Sequence, residues 1–130
     1  MGSEPRGGAT ARAGLLVLGL ALLAACSGRS RLEEPLGAPY VRGAVETVTH
    51  HATGSGLLVR AGPGSREPCG IAARMDAATR VLQRSPSGVL RRIAASEIAV
   101  GDTVEIYVDG PVAESCPVQG HAAAVVEVLS

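Results

Sequence analysis

The sequence predicts a mostly β fold, a small barrel of five or six short strands with one short helical turn, over residues 40–130. Three observations predict it. Short runs of β-branched and aliphatic residues recur at intervals of about ten residues, divided by Gly, Pro, Ser and Asp turns. One run, Thr103-Val104-Glu105-Ile106-Tyr107-Val108-Asp109, alternates apolar with polar or amphipathic residues at the period of two that half-buries a strand. The residues left over are too few for a long helix. Closure suits so small a sheet because it removes unpaired edges. An immunoglobulin-like sandwich is the competing shape and ranks second, because such domains use about seven strands.

The first strand is expected at 41–49, with Val41, Val45, Thr47 and Thr49 on one face and Gly43 beside them to permit a bend. After a Thr53-Gly54-Ser55-Gly56 turn, residues 57–61 make a second strand hairpinned to the first. Residues 62–70 hold Gly, Pro and Ser and read as a loop. Strands follow at 71–75 and 79–83, and the Ser85-Pro86-Ser87-Gly88 turn leads to another at 89–92. Residues 93–100 supply the helical turn, ended by Gly101-Asp102; the clearest strand is 103–109, and 121–129 closes the chain as the last.

The amino-terminal segment has a different logic. Arg6 and Arg12 precede thirteen uninterrupted small or apolar residues, Ala13 to Ala25. That layout is a signal peptide's, and the run is well short of the ~20 apolar residues a spanning helix needs. It ends in Leu23-Ala24-Ala25-Cys26, which resembles the bacterial lipobox: a branched apolar residue, two small residues, and a cysteine whose thiol takes diacylglycerol. The resemblance implies cleavage before Cys26, a lipidated amino terminus, and anchoring strengthened by roughly 0.8 kcal/mol for each buried methylene. An ordinary secretory signal that happens to precede a cysteine is the alternative. Ser27 stands where an acidic residue would resemble an inner-membrane retention signal, so the periplasmic side of an outer membrane is expected in a cell with two membranes. Residues 26–39, rich in Gly, Ser, Arg, Glu and Pro, read as the lipidated terminus and a tether.

Without residues 1–25 the chain carries 10 Arg against 11 Asp and Glu, no Lys, and only Tyr40 and Tyr107 as aromatics. Nucleic-acid binding leans on a basic surface and often on aromatic stacking platforms, so it is not expected here. With Cys26 taken by lipid, Cys69 and Cys116 remain as a pair in an oxidising compartment, each beside a proline. A disulfide is the simplest reading. Two separate buried thiols are the alternative, because spacing alone cannot bring two Cα atoms within bonding distance. His50, His51 and His121 could join a cysteine in binding a soft metal, with Cys69, Cys116 and His121 as the set to weigh, yet they lack the short paired spacing of zinc sites. His50 and His51 are adjacent and point to opposite faces of an extended chain, as strand-end surface histidines do.

No nucleophile elbow surrounds Ser55, Ser65 or Ser115, and Glu105 with Glu114 has no acid–base spacing. The glycine turns at 54–56 and 62–64 lack a phosphate-loop Lys and a following helix. Neither an enzymatic activity nor a cofactor is therefore expected.

From Ala99 onward, Val100-Gly101-Asp102 with Val104, then Gly110, Glu114, Ser115, Pro117 and Gln119, resemble the carboxy-terminal signature of the YobA-like family of exported bacterial proteins. That family is a domain of unknown function with OB-like short strands; its pattern runs from a VGD-x-V turn through a strand to a G-x-x-x-E-S-x-P-x-Q loop. The likeness covers about 30 of the 130 residues and departs at Cys116, where the family commonly has an aromatic residue. It implies an OB-like barrel and no catalytic residue. The expectation from the whole sequence is a membrane-anchored envelope lipoprotein whose β domain binds or scaffolds an envelope protein or small ligand. A metal-binding envelope protein is the alternative.

Overall fold

The protein is described from a computed structural model, which covers residues 37–130. The expected signal peptide, the lipid acceptor Cys26 and most of the tether lie outside the described residues. Seven strands run in chain order: β1 Val41–His51, β2 Gly54–Val59, β3 Ile71–Met75, β4 Arg80–Arg84, β5 Leu90–Arg92, β6 Thr103–Val108 and β7 Val118–Val128. Among the described residues a single 3-10 turn, Ala95–Glu97, stands where the helical turn was expected.

The strands join in the order β3-β2-β1-β6-β7-β4-β5, and β3 also pairs with β7. That last pairing closes β1, β2, β3, β7 and β6 into a five-stranded barrel with OB-like connectivity, and β4 and β5 are extra. β7 makes both arrangements possible because it is 11 residues long. Its first half lies parallel to β3, from Ile71 against Val118 to Arg74 against His121. Its second half lies parallel to β4, from Arg80 against Ala124 to Arg84 against Val128. The other edge of β7 takes β6. A strand buried on both sides by neighbours reads as a continuous apolar run, which is the character of Ala122-Ala123-Ala124-Val125-Val126.

Val41, Leu57, Ile71, Ile106 and Val125, each at most 2 % exposed, fill the barrel. Two of these come from β1 and β6, whose inward residues Val104 and Ile106 follow the expected alternation. β1 departs from it. Val45 pairs with Val59, but the next partners are Thr47 and Leu58, so one extra residue, Glu46, bulges out of β1. Val41 and Val45 face the core before the bulge and Val48 packs against it afterwards, which turns Thr47 and Thr49 to the outside. The expectation of one shared face for Val41, Val45, Thr47 and Thr49 is thus corrected by the bulge.

The hairpin turn is also tighter than expected. It occupies Ala52-Thr53, and Gly54, Ser55 and Gly56 belong to β2 rather than to a loop. The last strand starts at Val118, three residues before the expected His121, because Val118 to His121 are held by β3.

Outside the barrel, Leu82, Tyr107, Ala124 and Val126 form a second small cluster over the sheet that β4 extends. Beside it the Glu105 carboxylate accepts from Arg84 at 2.9 Å, Arg42 at 3.3 Å and the Tyr107 hydroxyl at 3.0 Å. A carboxylate so enclosed is held by its donors, and burial, followed by the Glu105 charge, keeps the Tyr107 hydroxyl protonated above its usual range.

Glu127 is the less settled carboxylate. It is 7 % exposed and accepts from Gln83 at 2.6 Å. A hydrogen bond with Asp102, then burial, raises its pKa above the ordinary 4.5. A raised carboxylic pKa means the protonated form is favoured by folding, so that stabilisation is present at acid pH and is lost as pH rises through the folded value. Glu127→Gln is therefore expected to raise the melting temperature by a few degrees at pH 8 and to leave it unchanged at pH 4. Thermal unfolding at the two pH values checks this; equal shifts at both would contradict it.

Candidate functional site

The outward face of β1, β2, β3 and β7 follows from the bulge and the strand registers. Three residues of β1, Thr47, Thr49 and His51, alternate outward after Glu46. Crossing the barrel from them gives rows of neighbours. Thr47 lies beside Leu58, Leu58 beside Ala72, and Ala72 beside Gln119. The next row runs Thr49, Gly56, Arg74, His121, and the row after it begins with His51 and Gly54.

These rows explain the shape. Leu58 and Ala72 give an apolar floor, and Gly56 leaves a notch between Thr49 and Arg74. The result is an open groove of about 380 Å³ walled by Thr47, Thr49 and His51 on one side and by Arg74 and Gln119 on the other. A second hollow of about 270 Å³ continues it past His51 and Arg74 toward Asp76. A side chain at position 56 would fill the notch: a Cβ there would sit 2.7 Å from Thr49 Oγ1 and 3.8 Å from His51 Nε2. Gly54 has a different duty, since its Cβ would run into the Met75 carbonyl.

The groove's charge is one-sided. No carboxylate lines its main part, and Arg74, which is exposed, makes no hydrogen bond or ion pair to another described residue. Other arginines do: Arg60 meets Glu46, and Arg42 and Arg84 meet Glu105. His121, the register partner of Arg74, is held at both ring nitrogens. Nδ1 is 2.7 Å from Asp109 Oδ1 and Nε2 is 3.0 Å from Asp76 Oδ1. Two carboxylates acting as acceptors require both ring nitrogens to donate, so the imidazolium is favoured and its pKa lies above 6.5.

The Asp76 carboxylate is correspondingly held below its usual range, first by His121 and then by the Ala78 amide. The His121 contribution to stability is full below its unfolded pKa and is lost as pH rises through the raised value; the Asp76 contribution is lost as pH falls through the depressed one. The clamp's contribution is thus full between the ordinary Asp value of 3.8 and the ordinary His value of 6.5, and declines above it. Asp109→Asn removes the larger of the two carboxylate effects, so the His121 titration followed by NMR is expected to fall back toward 6.5. An unchanged midpoint would contradict the clamp.

Cys69 and Cys116 are joined as a disulfide with 5.2 Å between Cα atoms. Neither sulfur is then a thiolate, so the set Cys69, Cys116 and His121 loses two of its three metal ligands while His121 is engaged by carboxylates. His51 lines the groove and His50 is exposed on the other side of β1. Glu105 serves the arginine network, and Glu114 is exposed in the loop before β7.

Sequence reasoning did not single out Thr47, Thr49, Gly56, Arg74 or Gln119 as a group. The alternation in β1 carried part of the signal, but the bulge and the parallel β3–β7 register decide which residues meet. Both nitrogens of His121 are occupied by carboxylate partners. Comparison with models of known protein families, with curated proteins and with solved structures finds no match.

Proposed function

We propose that this chain is a bacterial envelope lipoprotein, anchored through acylated Cys26, whose barrel acts as a non-enzymatic binding module. The observation that carries the binding reading is the open groove on β1, β2, β3 and β7, with its apolar floor, its hydroxyl wall and Arg74, which has no ion-pair partner among the described residues. In OB-like barrels the face of the second and third strands is the usual ligand surface, which supports the same place by analogy of fold alone. The Cys69–Cys116 disulfide suits an oxidising compartment, and the lipobox-like Leu23-Ala24-Ala25-Cys26 supplies the address. A tether of about a dozen residues lets such a module face partners near the membrane.

Cys26→Ala removes the acceptor thiol. Metabolic labelling with a clickable fatty acid is expected to mark the wild type and to leave the variant unlabelled and released from the membrane. Equal labelling would refute the lipid anchor. For the groove, crosslinking in intact cells followed by purification is expected to recover a partner with the wild type and to lose it with Gly56→Val, which fills the notch on the outer face. Recovery of nothing above control, or equal recovery with both, would count against binding through this face.

A further inference from the structure

We propose that the notch over Gly56, walled by Thr49 and Arg74, takes a carboxylate from an extended acidic segment of a partner protein lying along β1. The inference rests on the binding reading above and names what the groove binds.

Charge supplies the first argument. Arg74 stands at the notch without an ion-pair partner among the described residues, His51 borders the same wall, and no carboxylate lines this part of the groove. Asp76, in the adjoining hollow, is already engaged by His121 and by the Ala78 amide. A guanidinium presents a planar fork of donors that matches a carboxylate; across the glycine stands Thr49, whose hydroxyl donates to the Gly56 carbonyl at 3.5 Å, so Arg74 supplies the donors here. The groove thus offers donors and positive charge where an anion would sit.

Spacing supplies the second. Thr47, Thr49 and His51 repeat every second residue along β1, a step of about 6.6 Å. Alternate residues of an extended peptide have the same step, so a segment running along β1 meets one polar side chain of β1 per outward pair while its other side chains face solvent. β2 and β3, which form the floor of the groove, are paired along both edges, so recognition over them falls to side chains. No Phe, Tyr or Trp lines the groove, so it lacks the large stacking platform on which nucleobases are usually held. An acyl chain would gain little, because the groove is open along its length rather than a tunnel.

The test is selection of a random displayed peptide library on the full chain, immobilised in detergent, followed by affinity measurements on the selected peptides. Peptides with Asp or Glu at alternate positions are expected, with binding that weakens as salt rises. Arg74→Ala is expected to weaken a selected peptide about tenfold, and Arg74→Glu to reverse preference toward its Lys-for-Glu copy. Arg74 is exposed, so neither change touches the core. Selection of peptides without acidic enrichment, but still lost with Gly56→Val, would overturn the acidic-segment inference and leave the groove reading standing. Equal peptides on wild type and Gly56→Val, or none on either, would overturn both. Displacement of the peptide by anionic phospholipid vesicles or an acidic polysaccharide at lower concentration than by free peptide would replace the protein partner with that ligand.

Discussion

Reducing the Cys69–Cys116 bond, or changing Cys116 to Ser, is expected to lower the unfolding free energy by about 4 kcal/mol, the chain-entropy value for a loop of this length. The loop spans 47 residues. Ile71 and Val118, the first register pair of β3 and β7, are separated by the same 47 residues and lie two positions after the two cysteines. The disulfide therefore staples the seam that closes the barrel, beside the hydrogen bond from the Val118 amide to the Gly70 carbonyl at 3.2 Å.

That seam holds four register pairs and joins distant parts of the chain, so its formation bears a high loop-closure cost. A small domain has a total stability of only about 5–15 kcal/mol, and a loss of this size moves the melting temperature by on the order of 20 °C. Thermal unfolding with and without reductant measures it. Hydrogen exchange localises it: the amides of β3 and the first half of β7 are expected to lose protection before those between β1 and β2. A melting temperature insensitive to reductant would contradict the staple.

Gly43→Val is expected to be comparably damaging, at roughly 3 kcal/mol or more from overpacking against rigid backbone. Gly43 was expected to allow a bend. The structure gives a harder constraint, since a Cβ at this position would collide with the carbonyl oxygen of Arg60 and crowd the Gly62 amide. The chain after β2 is drawn close here by the Arg60 amide bonding to Ala44 and the Gly62 amide to Arg42, the latter at 2.7 Å. Valine's preference for strands cannot compensate, because the obstruction is backbone and cannot rotate away. Denaturant unfolding of Gly43→Val beside Gly88→Ala separates the causes. Gly88 has a positive φ of 91° but open space around its Cβ position, so its cost is conformational and smaller. Equal losses at the two positions would show that the close approach at Gly43 is unimportant.

The barrel was legible because its strongest signals are local. Val104, Ile106 and Val108 alternate, the Gly and Pro turns fall between the runs, and 71–75 was placed to the residue. The boundaries that shifted did so for non-local reasons. Gly54 and Gly56 read as turn residues from their own preferences, yet they pair with His51 and Thr49 because the hairpin turns earlier, at Ala52-Thr53. Val118 and Gln119 read as loop, yet β3 captures them.

The groove was harder to see for the same reason. Its rows cross strands that are far apart in sequence, Arg74 beside His121 above all, and one bulged residue, Glu46, decides which side of β1 faces out. The pairing of Cys69 with Cys116 was expected from their being the two cysteines left beside the expected lipid acceptor, but their approach to bonding distance and their position on the closing seam needed the register.

Mass spectrometry of the chain recovered from membranes reads the lipid anchor and the oxidised fold in one measurement. The expected product begins at Cys26, carries diacylglycerol on that residue, and yields a disulfide-linked peptide pair containing Cys69 and Cys116. A chain that begins elsewhere, with Cys26 unmodified or Cys69 and Cys116 recovered as free thiols, would contradict the account of an exported, lipid-tethered and disulfide-closed barrel.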